Sequence, residues 1–533
     1  MVMKPLTSVH HYFEQHARIA LLFVVVITAG YFGWLQAPPN FGDPDAFYHI
    51  QMAKLMTHTL VVRDFPYLQS NFLQHNFVDQ HFLYHVILLP FIQFFPDWIG
   101  AKVAQALLGV MFIAVFYLLL KGWRASGAVW VTLLLLWSES FVYRLNLVKA
   151  QPLSLLIIFV AMYALIKQKH WWLFPLAWVY VWTYGGWIMI LFVSMLYVLV
   201  DSFMTVGSSW PPATQSWVVK CKQAVPAMLR ALFCRQHVRA ISIVIAGLIL
   251  GLVVNPYFPL NLKFYWVQVV QIGLINLQDQ VRVGAEWYPY EPFTMIKNSL
   301  LPFSVLLGAG VVFGFYRKKM DFTTKFFFTL SVIFFFATLK ARRNIEYFIP
   351  VAVFFSALVF TRSTMIAEFQ QVIQRLRGSI KVRWIAGFFI AASGIYSVSN
   401  ATNFLQHGYP HTYGQPAAEF LQTHSKPGQI VFNVSWDMFP LMFYHDSRNY
   451  YLVGLDPTFT YIENPGRYAL WYAISSGRGA AELSRIKTDF HAEYVWVDQP
   501  NIQNHRQLIQ QLNQSTLMTA IYQDNEAIIY QVQ

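Results

Sequence analysis

Two carboxylates stand two residues apart in Gly42-Asp43-Pro44-Asp45-Ala46-Phe47-Tyr48-His49. Such a pair can share a divalent cation, or one member can orient and deprotonate an acceptor while the other supports it. The same residues also read as a helix start, with Asp45 capping a helix over Ala46–Met56. Asp79-Gln80-His81-Phe82-Leu83-Tyr84-His85 offers an acid and two imidazoles, as ligands or as polar anchors of an interfacial helix. Gly284-Ala285-Glu286-Trp287-Tyr288-Pro289-Tyr290-Glu291-Pro292 sets a carboxylate among aromatics and prolines, which reads as a lid over a site or as a proline-ordered interfacial loop. Lys340-Ala341-Arg342-Arg343-Asn344 clusters cations, and Arg144 and Lys149 add two more. Guanidinium groups at a membrane boundary either grip phosphate through paired hydrogen bonds or snorkel to lipid headgroups. Near the end of the chain, Ser435-Trp436-Asp437-Met438-Phe439-Pro440 follows a strand-like run, and a turn at Gly454-Leu455-Asp456-Pro457 comes shortly after. Trp436 and Asp437 there read as a recognition pocket, or as a buried Trp with a capping Asp.

The elements that must position these residues lie in a membrane. The chain has 533 residues, of which 56% are hydrophobic and 12% charged. Soluble chains average roughly 45–50% and about 25%, so an ordinary soluble protein is excluded. The net charge of +13 sits in short loops between apolar runs. That placement is a topology signal and argues against a nucleic-acid partner. Cys221 and Cys234 both fall in one basic loop, which implies neither a disulfide framework nor a thiolate metal site. The first apolar run lacks a small-residue cleavage site and reads as a retained span.

Apolar stretches long enough to cross ~30 Å of hydrocarbon begin near Ala20, Ala101, Ala128, Leu153, Trp172, Trp187, Ala240, Ile296, Phe322, Ile345 and Trp384. The expected architecture is thus a polytopic α-helical membrane protein of about eleven spans. His81–Phe95 is apolar but short and reads as a flat or re-entrant outer segment. With the N-terminus in the cytoplasm, the basic loops at Lys121/Arg124, Lys167/Lys169, 201–239, Arg317–Lys319 and Arg362–Arg383 all fall inside. Two long loops, 37–99 and 256–295, then lie outside. Residues 1–400 are expected to form the membrane domain and 401–533 a soluble periplasmic α/β domain. Its expected strands are Gln429–Val434, Tyr494–Val497 and Ala527–Tyr530, with helices at Ala417–Thr423 and Asn504–Asn513. The setting expected is a bacterial inner membrane.

Together these features resemble the GT-C superfamily of membrane glycosyltransferases, specifically the catalytic subunit of archaeal and bacterial oligosaccharyltransferase. The likeness covers nearly the whole chain: an N-in bundle, two long outer loops and a C-terminal soluble domain. Asp45 in DAFYH matches the family's first-loop Asp, with Asp43 beside it. Glu286 in GAEW looks like the Glu that contacts metal and acceptor, and Arg343, four residues before Tyr347, looks like the Arg that binds the lipid diphosphate. Trp436-Asp437 keeps only the centre of the family's Trp-Trp-Asp-Tyr-Gly sequon motif. The family's acidic pair in the second outer loop is absent from Arg144-Leu145-Asn146-Leu147-Val148-Lys149-Ala150-Gln151. The resemblance therefore implies either a Mg²⁺ or Mn²⁺ site of Asp43, Asp45 and Glu286, or a metal-independent variant in which Lys149 replaces the cation.

The function expected is transfer of a sugar or oligosaccharide from a polyprenyl phosphate or diphosphate carrier to a protein, glycan or lipid acceptor. Arg343, with Arg342 and Lys149, would hold the leaving phosphate. Asp45 would serve as base, supported by Asp43 and Glu286, and the acceptor would dock near Trp436 and Asp437. A transporter or flippase of lipid-linked sugars is the rival reading, and a catalytically inactive protein of the same fold is the third. Transporters place ionisable groups at the midplane of repeated halves, whereas here the acids lie at the membrane boundary and no halves repeat.

Overall fold

The computed structural model describes residues 3–208, 217–275, 277–364, 366–498 and 502–533. Part of the basic loop expected over 201–239 lies outside the described residues, and its later half contains a helix, Trp217–Leu232.

All eleven apolar segments are helical. Among the described residues, eight helices are long and apolar enough to cross a membrane unaided: Ala17–Gln36, Asp97–Gly122, Met189–Gly207, Arg235–Val253, Leu300–Lys319, Phe322–Lys340, Arg342–Ser363 and Ile380–Gln406. A further candidate is broken. Ala128–Trp137 and Glu139–Asn146 meet at 84°, and at the break Ser138 accepts a hydrogen bond from the Phe141 N–H, capping the second half. The remaining two, Gln151–Ile166 and Leu173–Thr183, have 16 and 11 residues, fewer than the ~20 a perpendicular crossing needs. Arg342–Ser363 is central, with 89% of its apolar window buried. Ile380–Gln406, at 11%, is peripheral and offers its apolar surface to lipid.

The two long loops are themselves built from helices. The first carries Asp45–Met56 and Phe82–Phe94; the latter, 13 residues long, is too short to span and packs beside Asp97–Gly122. Gly100 lets these two approach, since a Cβ there would stand 2.3 Å from the Phe91 carbonyl oxygen. The second loop carries Leu260–Tyr265 and a π-helix, Trp266–Ile275.

The tail holds a mixed five-stranded sheet. With β1 as Asn40–Phe41 and β2 as Tyr409–Pro410 forming a separate antiparallel pair, the sheet strands are β3 (Ile430–Asn433), β4 (Tyr450–Tyr451), β5 (Ala492–Asp498), β6 (Met518–Gln523) and β7 (Ala527–Val532), in the order β4-β3-β5-β7-β6. The three strands read from sequence are β3, β5 and β7. β4 is only two residues long and β6 is largely exposed with polar residues among its apolar ones, so neither carries a strand-length buried apolar pattern. Contacts distant in sequence bind the tail to both loops. β1 pairs β2, Leu68 bridges Tyr451, the Tyr444 hydroxyl donates to Asp97, and the Arg282 N–H donates to the Tyr468 hydroxyl.

Candidate active site

The chemistry-bearing residues of the first loop, the second loop, the Arg342–Arg343 turn and the tail converge on one cavity of about 650 Å³. Asp43, Asp45, Lys149, Glu286, Arg342, Arg343, Trp436 and Asp437 all line it.

Asp45 opens the helix Asp45–Met56 as its first residue, where an acid is favoured by the helix dipole. It is not the cap expected from sequence. The Asp43 side chain takes that role, accepting from the Asp45 N–H at 2.8 Å, with Pro44 at the cap position. Lys149 sits between the two carboxylates, its Nζ 2.8 Å from Asp43 Oδ2 and 2.6 Å from Asp45 Oδ2. Burial and the neighbouring Asp45 charge push Asp43 above the usual carboxylate range, and the Lys149 ammonium opposes them. Burial works against the charge of Lys149, but the two carboxylates outweigh it and hold the ammonium above its ordinary value.

A second cluster gathers around Glu286. Its Oε2 accepts from Arg144 Nη1 at 2.7 Å and its Oε1 lies 3.2 Å from Arg343 Nη1. Burial would raise Glu286, yet Arg343 and Arg144 bring it well below the usual carboxylate range, so it is ionised. Arg144 also donates from Nε and Nη2 to Glu346 at 2.9 and 2.8 Å. Arg343 donates to the Tyr184 hydroxyl at 2.8 Å and stacks on Trp287 with its guanidinium carbon 4.3 Å from the ring centre. Arg342 is exposed, lies over Tyr290, and among the described residues has no acidic partner. These cations are oriented before any anion arrives, which is what electrostatic stabilisation of a leaving group requires.

The tail closes the cavity. Trp436 rests against the Gly284 backbone, where an added Cβ would come within 3.6 Å of its ring. Burial, and then Asp498, push Asp437 up to about 6.

As a divalent-metal site the acidic residues do not fit. An ammonium already bridges Asp43 and Asp45, and Glu286 is engaged by two guanidinium groups. Among the described residues no group of three or more His, Cys, Asp or Glu side chains is arranged to hold an ion.

Several residues reach the site without having been singled out. His49 ends the Gly42–His49 motif and Glu346 lies between Arg343 and Tyr347, but the partners of both come from distant segments. Glu139 lines the cavity and is nearly buried. Its signal was available, since an acid within an apolar membrane segment is a functional candidate by default. Tyr184 carried no signal, because tyrosines abound at membrane interfaces.

No family model matches this sequence, and no curated protein matches it either. Solved structures do. The archaeal oligosaccharyltransferase AglB from Archaeoglobus fulgidus, in complex with an inhibitory peptide and a dolichol-phosphate, aligns with a TM-score of 0.60 at 14% identity, covering 92% of this chain and 70% of that one. The A. fulgidus enzyme tethered to an acceptor peptide containing the NVT sequon aligns at 0.59 and 14% identity, covering 96% and 74%. Its apo form aligns at 0.58 and 13%, covering 90% and 70%. At such identities the likeness is one of fold: a GT-C-like helical membrane bundle with a C-terminal α/β region.

Proposed function

We propose that this protein is a membrane glycosyltransferase, moving a sugar or oligosaccharide from a polyprenyl phosphate or diphosphate carrier to an acceptor. The observation that carries this reading is the cavity itself, in which preoriented cations and a pair of carboxylates at Lys149 share one wall-to-wall space. The fold it shares with structures holding a dolichol-phosphate and an acceptor peptide supports it further.

The carrier's headgroup enters from the bilayer, and its phosphate is met by Arg343 and by the exposed Arg342, which has no acidic partner among the described residues. As the bond from the anomeric carbon to the phosphate oxygen breaks, the electron pair leaves with the phosphate, and these guanidinium groups stabilise the growing charge. Arg144 and Glu286 hold Arg343 in place. Asp45 hydrogen-bonds the acceptor and aims it at the anomeric carbon, and Lys149 supplies at this spot the positive charge a metal would otherwise bring. The acceptor docks between the 284–287 turn and the tail, where Trp436 packs against Gly284. In this reading the chain divides near residue 400, with the N-terminus cytoplasmic and the tail in the periplasm of a bacterial inner membrane.

The test is sugar transfer by the purified full chain in lipid nanodiscs from a radiolabelled polyprenyl-phosphate sugar. Asp45→Ala should abolish transfer and Arg343→Ala should abolish donor binding, each with unchanged thermal unfolding. Full activity in Asp45→Ala would refute the assignment.

A further inference from the structure

The first long loop buries a chain of hydrogen-bonded side chains that this mechanism leaves unused. Asp79 is 2% exposed, and its Oδ2 lies 2.6 Å from His85 Nδ1. His85 is fully buried and places Nε2 2.8 Å from His49 Nδ1. His49 belongs to the helix Asp45–Met56, one turn beyond Asp45 and therefore on the same face, and it lines the cavity. With the Asp79 carboxyl accepting from His85 Nδ1–H, His85 Nε2 is left to accept from His49 Nδ1–H. The lone pair of His49 is left on its own Nε2, which has no hydrogen-bond partner among the described residues.

Asp45 already has an occupant, the Lys149 ammonium at 2.6 Å, whereas His49 Nε2 is left free toward the cavity. Resting on the glycosyl-transfer reading above, we infer that His49 Nε2 is the base that receives the acceptor's proton, with His85 and Asp79 as positioning residues behind it. The balance is complete within the cavity. The acceptor's O–H or N–H proton passes to Nε2 as the acceptor atom bonds the anomeric carbon, and the electron pair of the departing bond goes with the phosphate. The imidazolium so formed donates through His85 to the Asp79 carboxylate, as a triad histidine does to its aspartate. Before reaction, burial and then the neighbouring His85 and His81 hold His49 well below its ordinary value, so the imidazole is neutral. The groups facing it are His81, Tyr84 and His85 from the Phe82–Phe94 segment and its lead-in, Tyr48 on its own helix, and Lys149.

The experiment uses the full chain and a polyprenyl-phosphate sugar. H49Q should lose about 10²- to 10⁴-fold in kcat, the usual worth of a general base, while the donor KM is unchanged. Free imidazole should restore part of the rate to H49A. D79N should move the acid limb of the pH–rate profile to lower pH, since the His49 imidazolium loses its carboxylate; a purely structural role for Asp79 would not shift that limb. Without any donor, the ¹⁵N resonances of labelled histidine should place the His49 proton on Nδ1. A wild-type rate in H49Q, or a proton on Nε2 in the donor-free spectrum, overturns the inference and leaves the transfer reading standing. A wild-type chain that turns over no polyprenyl-phosphate sugar, with no more binding of it than Arg343→Ala shows, overturns both.

Discussion

Replacing Lys149 by Met removes the ammonium lying between Asp43 and Asp45 while keeping close to the length of the side chain. Two contacts are lost, at 2.8 and 2.6 Å. At an effective dielectric of ~20 each is worth roughly 6 kcal/mol of gross attraction, and much of that offsets the cost of burial. The two halves differ in weight. The Lys149 side chain is 9% exposed and that of Asp43 23%, so their pair behaves as a largely buried one, where truncating a partner costs about 3–5 kcal/mol. Asp45 is 44% exposed, and its share is screened to below about 1 kcal/mol. Because Asp43 already sits above the usual carboxylate range, losing the ammonium raises it further and makes protonation easier, which limits the loss. A net cost of about 2–4 kcal/mol at the site follows. With the same charge aligning Asp45 and the acceptor in the transition state, its loss corresponds to roughly a 30- to 1,000-fold fall in rate at 1.36 kcal/mol per decade. The assay is sugar transfer in nanodiscs, with EDTA or with Mn²⁺. Wild-type turnover should ignore the chelator. K149M should be slow in EDTA and partly restored by Mn²⁺, because two carboxylates freed of their ammonium form half of a hard-cation site. Wild-type activity that stops in EDTA and returns with Mn²⁺ would refute the idea that the ammonium stands in for a metal, as would K149M turning over at the wild-type rate.

Arg343→Lys keeps the charge but loses the planar stack on Trp287 and the forked contact to Tyr184 and Glu286, so the donor KM should rise by about 10- to 100-fold; donor titrations would show it. Asp437, held at about 6 by burial and Asp498, should accept a stronger, charge-assisted hydrogen bond from the acceptor when ionised. Acceptor affinity should therefore strengthen as pH rises through about 6, and calorimetric titration of D437N should show no such step. The same raised value means that the folded state holds this proton more tightly than the unfolded one. Its stabilising contribution is full below the ordinary carboxyl range and is lost as pH rises to about 6, a decline that D437N should remove from a thermal-unfolding series. Gly100→Ala should lower the unfolding temperature despite Ala's better helix propensity. Its Cβ would meet the Phe91 carbonyl at 2.3 Å, and forcing the helices apart costs about 1–3 kcal/mol.

The sequence by itself determined the helical segments, because the membrane imposes a local rule: enough apolar residues in a row, with charge confined to the ends. It also revealed β3, β5 and β7, whose buried apolar runs need no knowledge of their partners. It missed the 84° break at Ser138, since a cap inside an apolar run leaves the hydropathy unchanged. At the site, Asp43, Asp45, Glu286, Lys149 and Arg343 were legible as types in suggestive places, and all of them line one cavity. Their pairings were not. Lys149 meets Asp43 across 106 positions and Arg144 meets Glu346 across 202, and no local pattern encodes which cation closes on which acid. Asp79-Gln80-His81-Phe82-Leu83-Tyr84-His85 shows the same limit. The sequence placed an acid six residues from a histidine, but only the packing of two helices put His49 at the end of that chain, facing the cavity. Burial decided the rest. A charge pair at a loop end is an ordinary surface feature until tertiary packing withdraws it from water, and only then does its geometry govern which group holds a proton and which holds a phosphate.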